Sequence, residues 1–184
     1  PEHEVTLVYT RMLAGPMDYT PGVLSLTGKG GQEIPGTLAR QLALYVAIYS
    51  PIQMAADLPE HYAQHREAFQ FIKDVAVDWD ESRVLAGEVG QYVAIARRQR
   101  GGREWFIGAI NDRNPRDLSL ALDFLEPGLR YRAEIYRDGA GTDWTGDARF
   151  RFAREQREVR RGDALPLWLA GGGGAAVRLV PLGR

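Results

Sequence analysis

From residue 84 onward the sequence keeps returning to one pattern, a short apolar or alternating segment followed by a turn signal. Tyr92–Ala96, Trp105–Ile110, Leu118–Leu122, Tyr131–Tyr136, Leu165–Leu169 and Ala176–Val180 are the segments. Gly101-Gly102, Asn111-Asp112, Glu126-Pro127-Gly128, Asp138-Gly139 and Gly171–Gly174 separate them. β-branched and aromatic residues at this spacing favour strands, and connections this short favour antiparallel partners. Residues 84–184 are therefore expected to form an all-β antiparallel sandwich. The charged run Ala148–Arg161 is assigned two further strands.

The first 80 residues read differently. Val5–Thr10 is β-branched and aromatic, ends at Gly15-Pro16, and is expected to be a buried strand. Residues 14–36 form a long Pro/Gly-rich loop, a type that is often functional in compact domains. Thr37 then caps a helix over about 38–49, with Leu38, Leu42, Tyr45, Val46 and Tyr49 on one face. Pro51 stops it. Ile52–Ala56 is expected to be a second buried strand ending at Asp57, and Pro59 to open a helix over about 60–74. Strand, helix, strand, helix requires a parallel sheet, and two strands cannot make one alone. Residues 1–80 are thus expected to be part of a larger α/β barrel and to expose apolar surface by themselves. The junction with the sandwich is placed at 78–84, within Asp78-Trp79-Asp80-Glu81-Ser82. The chain begins at Pro1, directly before a predicted strand, as expected of a segment from within a longer protein.

Composition excludes several classes. The formal net charge of −1 over 184 residues argues against a whole-chain nucleic-acid binder. No cysteine is present, which removes disulfide frameworks and thiolate metal sites. No apolar run approaches the ~18 residues of a membrane-spanning helix. Lys29 and Lys73 are the only lysines among 23 basic residues, an arginine bias attributed to genome composition.

Asp57, at the end of the second predicted strand, and Asp18, on the loop after the first, would share the C-terminal face of a barrel, where barrel enzymes keep their chemistry. Two carboxylates flanking a pocket suit glycoside hydrolysis, one as acid and one as base or nucleophile. The simpler roles are an Asx turn at Asp18 and a helix cap at Asp57. His61 and His65 lie one helical turn apart, but Glu60 precedes them instead of standing between them, so an exposed helix face fits better than a metal site. Arg97-Arg98-Gln99-Arg100 with Arg103 reads as a solvated hairpin tip. Gly171–Gly174 lacks the Lys-Ser/Thr of a phosphate loop. Trp105 and Trp168 fall inside strand patterns and read as core. Trp144, in a polar loop, is the candidate exposed platform for stacking on a sugar.

The segments Tyr9–Gly22 (YTRMLAGPMDYTPG), Leu38–Val46, Tyr49–Asp57, Val77–Glu81 and Trp105–Ile110 together resemble glycoside hydrolase family 97. The resemblance covers essentially the whole chain. It implies an N-terminal β-sandwich, a catalytic (β/α)8 barrel and a C-terminal β domain, with exo-acting α-glucosidases that invert and α-galactosidases that retain. This chain would then be the last two βα units of the barrel (1–80) followed by the C-terminal β domain (84–184). The resemblance implies that the catalytic carboxylates lie upstream of Pro1, so no catalytic residue and no metal ligand is assigned here. Asp18, Tyr19 and Asp57 are carried over as substrate-rim candidates. Calcium is implied for the intact enzyme, with none bound by this segment. An oligosaccharide substrate, the upstream barrel and N-terminal domain, and a homo-oligomer are the implied partners, in the periplasm or outside the cell. A carbohydrate-binding module and an oligomerisation or domain-packing module are the alternative roles for the sandwich.

Overall fold

The computed structural model describes residues 1–183. The helical part comprises α1 (Glu2–Tyr9), a 3-10 turn (Arg11–Ala14), α2 (Leu38–Ala47), α3 (Pro59–Gln64) and α4 (Arg66–Asp74). Eight strands follow: β1 (Trp79–Glu88), β2 (Tyr92–Gln99), β3 (Trp105–Asn111), β4 (Arg116–Ala121), β5 (Arg130–Asp138), β6 (Phe152–Arg160), β7 (Ala164–Leu169) and β8 (Gly174–Leu182). A 3-10 turn, Gly146–Phe150, precedes β6. Six strands form one sheet in the order β1-β2-β3-β8-β5-β6, and β4 and β7 form a second. All pairings between these strands are antiparallel.

The layers are helices, six-stranded sheet, two-stranded sheet. Leu118, Leu120, Leu165, Leu167 and Leu169 of the small sheet pack on Ile107, Tyr131, Ile135, Val177 and Leu179 of the large one. On the opposite face, Leu42, Tyr45 and Phe71 pack on Phe106, Tyr136 and Ala176. Covered on both sides, β3 is buried at all seven positions.

The helix expected after Thr37 forms. The Thr37 hydroxyl accepts from the Arg40 backbone N–H at 3.2 Å, satisfying one of the donors a helix start leaves free. All ten α2 residues are buried. Two glycines let α2 come this close: a Cβ on Gly108 of β3 would lie 2.5 Å from the Ala43 carbonyl oxygen, and one on Gly174 of β8 2.8 Å from the Arg40 Cα.

Both strands expected in the first 80 residues are absent. Val5–Thr10 falls in α1 and the residue after it. β-branched residues disfavour helix, but Val5 and Val8, one turn apart, pack against Ala43, Leu44, Val93 and Ile110. The Thr6 and Thr10 hydroxyls back-bond to the carbonyls of Glu2 and Thr6, at 2.9 and 2.8 Å, which satisfies the hydroxyls without favouring the helix. Ile52–Ala56 is irregular and exposed, with Ile52 at 71%. It has no neighbouring strand to take its backbone bonds. The helix expected over 60–74 is broken at His65, whose N–H is shared between the His61 and Tyr62 carbonyls and whose ring stacks on Phe150. The six strands expected from the alternating segments all form. The run 148–161 holds one strand instead of two, and the sheet edge β1 was not expected.

The hairpin after β2 is less solvated than its charge suggests. Arg97 is buried: its Nε donates to the Val46 carbonyl at 2.7 Å, and its guanidinium lies 4.3 Å from the Tyr49 ring centroid. Arg100 remains outside and pairs with Asp78 and Asp80. Leu13, Ile52, Met54 and Leu58 are large apolar side chains left exposed in the first part of the chain. Among the described residues no helix is long and apolar enough to cross a membrane.

Candidate functional site

Asp57 sits where the segment after α2 turns into α3, with its carboxylate almost fully covered. Oδ2 accepts from the Ser25 N–H at 2.7 Å, and Oδ1 from the Leu58 N–H at 2.8 Å. His61 Nδ1 lies 2.6 Å from Oδ1. Burial works to raise the Asp57 pKa, but the bonds from His61, Ser25 and Leu58 outweigh it and hold the carboxyl below its usual value. The same loop is fastened at three more points. Gln41 Oε1 accepts from the Gly22 and Val23 N–H groups. Tyr62 Oη donates to the Gly22 carbonyl at 2.9 Å and accepts from the Asp57 N–H at 2.9 Å. Tyr45 Oη lies between the Pro21 and Met54 carbonyls, at 3.1 and 2.8 Å. Asp57 thus ties the Ser25 end of residues 21–25, while Gln41, Tyr45 and Tyr62 hold the rest against α2 and α3.

Tyr19 and Asp18 lie elsewhere on this loop. Tyr19 Oη donates to Glu4 Oε1 at 2.6 Å, and burial together with the Glu4 charge raises its pKa. Asp18 is exposed. No hydrogen bond joins Asp18, Tyr19 and Asp57 to one another among the described residues.

Glu4 leads to a buried ion-pair network that the sequence did not announce. Arg40, on α2, whose one other polar residue is Gln41, is fully buried. Its Nε and Nη2 reach Glu4 Oε2, each at 2.8 Å, and Nη2 also donates to the Pro1 carbonyl at 2.9 Å. Nη1 donates to the Asn111 and Gly173 carbonyls, at 2.7 and 3.2 Å. Beside it, Asp138 Oδ2 accepts from the Ala170 and Gly174 N–H groups at 2.9 and 3.0 Å. Burial pushes the Asp138 carboxyl up to about 6, against the pull of Thr37, these two N–H groups and Arg40. The run Gly171–Gly174 belongs to this junction: a Cβ on Gly173 would lie 2.0 Å from Asp138 Oδ2. It is a packing seam.

Trp144 lies in the loop between β5 and β6. It is half-buried, with Arg113 5.3 Å from its ring centroid and Gly172 packed against its Cβ. Trp105 is buried as expected, whereas Trp168 is only half-buried and lies on the outer face of the small sheet. Among the described residues no group of three or more His, Asp or Glu side chains converges on a point that could hold a metal ion. His61 is engaged by Asp57, and burial lowers the His65 pKa. The residues present do not fit a calcium site.

The architecture is that of an antiparallel β domain with a helical layer joined to one face through a buried charge network. Residues 78–180 match the family model described as glycosyl-hydrolase 97 C-terminal, oligomerisation. The chain belongs to glycoside hydrolase family 97. It is 34% identical over 185 residues to a retaining alpha-galactosidase of Bacteroides thetaiotaomicron, covering 97% of this chain and 27% of that protein. A probable retaining alpha-galactosidase of Streptomyces bingchenggensis is 34% identical over 179 residues, covering 95% of this chain and 25% of that protein. Among solved structures, a family 97 enzyme from a Pseudoalteromonas species in complex with panose superimposes with a TM-score of 0.94 at 45% identity. That match covers 99% of this chain and 29% of the enzyme. The chain thus spans between a quarter and a third of the length of these relatives.

Proposed function

We propose that this chain acts as the C-terminal part of an exo-acting glycosidase that cleaves α-glucosidic or α-galactosidic bonds. In this reading, the helical layer, with α2 and the α3–α4 pair, belongs to the end of a (β/α)8 catalytic barrel. The β domain packs against that barrel and supports association between subunits. The observation that carries the proposal is the 45% identity to a family 97 enzyme along 99% of this chain. The relatives named as retaining alpha-galactosidases favour the galactoside, and the panose complex the glucoside.

Asp18, Tyr19 and Asp57 remain candidates for the substrate rim, Asp57 by tying the Ser25 end of the loop 21–25. The carboxylates of an α-glycosidase must flank the scissile bond at a defined separation, roughly 5–10 Å. The carboxylate that reaches this loop from the segment before α3, Asp57, is already committed to Ser25, Leu58 and His61. Calcium, which the resemblance implies for an intact enzyme, would be held by residues outside this chain.

The purified chain is expected to release no p-nitrophenol from p-nitrophenyl α-glucoside or α-galactoside. It is also expected to associate in a concentration-dependent way in sedimentation velocity. Turnover by this chain would overturn the assignment of catalysis to another part of the enzyme. A strictly monomeric chain at all concentrations would remove the association role.

A further inference from the structure

The two-stranded sheet is narrower than the sheet beneath it, and the uncovered strip is built unlike either the core or an ordinary sheet edge. Register places Glu155 of β6 opposite Ile135, and Arg157 opposite Ala133. Ile135 and Ala133 belong to the core beneath β4 and β7. Glu155 and Arg157 therefore continue that core face outward, past the rim of β7. Along β7, Leu165, Leu167 and Leu169 turn into the core, while Pro166 and Trp168 face out, with Asp117 of β4 directly across from Trp168. The step between the sheets is a groove of about 350 Å³ whose lining includes Leu118 and Leu167 at its base and Asp117, Arg137, Glu155, Arg157, Pro166 and Trp168 around them. That size is within the range of small-molecule sites, about 300–1,000 Å³.

The polar groups are ordered and have capacity to spare. Arg137 Nε and Arg157 Nη2 both donate to Glu155 Oε1, at 3.2 and 3.1 Å. Oε2 is left over, as are N–H groups of both guanidiniums. These side chains are about one third exposed. An anion placed here would meet the Glu155 and Asp117 carboxylates, and a cation would meet two arginines. A neutral polyhydroxylated ligand avoids both penalties. Its hydroxyls donate to carboxylates and accept from guanidiniums, while its C–H face covers the indole of Trp168.

We propose that this groove is an oligosaccharide-binding site, with Trp168 as the stacking platform and Arg137, Glu155 and Arg157 as the hydroxyl-binding edge. It lies on the face of the large sheet opposite the helical layer, away from the side assigned to the barrel. The choice of a sugar among neutral polar ligands rests on the glycosidase family reading, but not on where catalysis occurs.

The test is a titration of the chain with maltotriose and, separately, melibiose, followed by tryptophan fluorescence and by saturation-transfer NMR of the sugar. A saturable signal with at least one sugar is expected. W168A and R157Q should each weaken binding by tenfold or more, with thermal unfolding of R157Q unchanged and W144F binding as the parent does. Absence of saturable binding with both sugars would overturn the site. So would affinity that survives both W168A and R157Q, or a loss caused by W144F. Failure here with no α-glycoside turnover by the chain leaves the reading of its place in the enzyme intact.

Discussion

Arg40 and Glu4 close the joint between the helical layer and the β domain: a fully buried guanidinium lies 2.8 Å from a carboxylate one quarter exposed to solvent. Around the guanidinium, three backbone carbonyls from Pro1, Asn111 and Gly173 complete its hydrogen bonding. The chain start, the β3 end and the glycine run all meet on one side chain. A cation here is tolerable because nearly every donor is used, which also makes its loss costly.

Removing that side chain gives the first prediction. R40A leaves three carbonyls and a carboxylate without their donor, and breaking a buried pair from one side costs about 3–5 kcal/mol. E4Q keeps a neutral acceptor at an edge reached by water, so about 1 kcal/mol is expected. Urea unfolding of both variants checks this. An R40A change below that of E4Q would show that the network is not what holds the joint.

A second prediction concerns the approach of α2 to the sheet. G108A places a methyl group 2.5 Å from the Ala43 carbonyl oxygen, which no side-chain rotation relieves. Overpacking of this kind costs about 1–3 kcal/mol. G102A, in the β2–β3 turn, meets only the flexible Gln99 side chain and should stay within about 0.5 kcal/mol of the parent. Equal effects in thermal unfolding would mean that α2 does not rest on Gly108.

What could be read in advance follows from how local each signal is. β2, β3, β4, β5, β7 and β8 carry apolar or alternating segments bounded by turn residues, and α2 carries a cap and an apolar stripe, so these were legible. The charged β6 was not, and was expected as two strands. Val5–Tyr9 was not, because its β-branched run points to a strand. The fit of Val5 and Val8 against α2 and β2, a tertiary contact, favours the helix. β1 was missed because an edge strand needs no apolar alternation, and Asp80, Glu81 and Arg83 broke the pattern. Asp57 was visible as a residue, but its use depends on Ser25, 32 positions away. Trp168 lies in an all-apolar run, Leu165–Leu169, where only the register with β4 shows which side chains face out.

Asp57 supplies a third prediction. If it ties the Ser25 end of the loop 21–25, D57A should speed hydrogen exchange at the Ser25 amide at least tenfold, while amides in the middle of α2 keep their protection. The Asp57 pKa is lowered in the folded chain, so its contribution is present above the unfolded carboxylate value and is lost as pH falls through the folded one. Ser25 exchange, corrected for its intrinsic pH dependence, should therefore approach that of D57A in acid. Unchanged Ser25 exchange in D57A would remove the clamp.

The fourth prediction has the opposite sign. The Asp138 carboxyl titrates at about 6 when folded, against an ordinary value of 3.8. Between those values the folded chain holds a proton that the unfolded chain releases. This group's contribution is therefore fully present below about 4 and is lost as pH rises through 6. The displacement corresponds to about 3 kcal/mol at most. D138N keeps a carbonyl oxygen for the Ala170 and Gly174 N–H groups and carries no charge at any pH. Other titrating groups are common to both proteins, so the difference between their unfolding free energies isolates this one. That difference should shift in favour of D138N by 1–3 kcal/mol, an order-of-magnitude range, as pH is raised from 4 to 7. A difference that stays flat across this range would mean that Asp138 ionises normally in the folded chain.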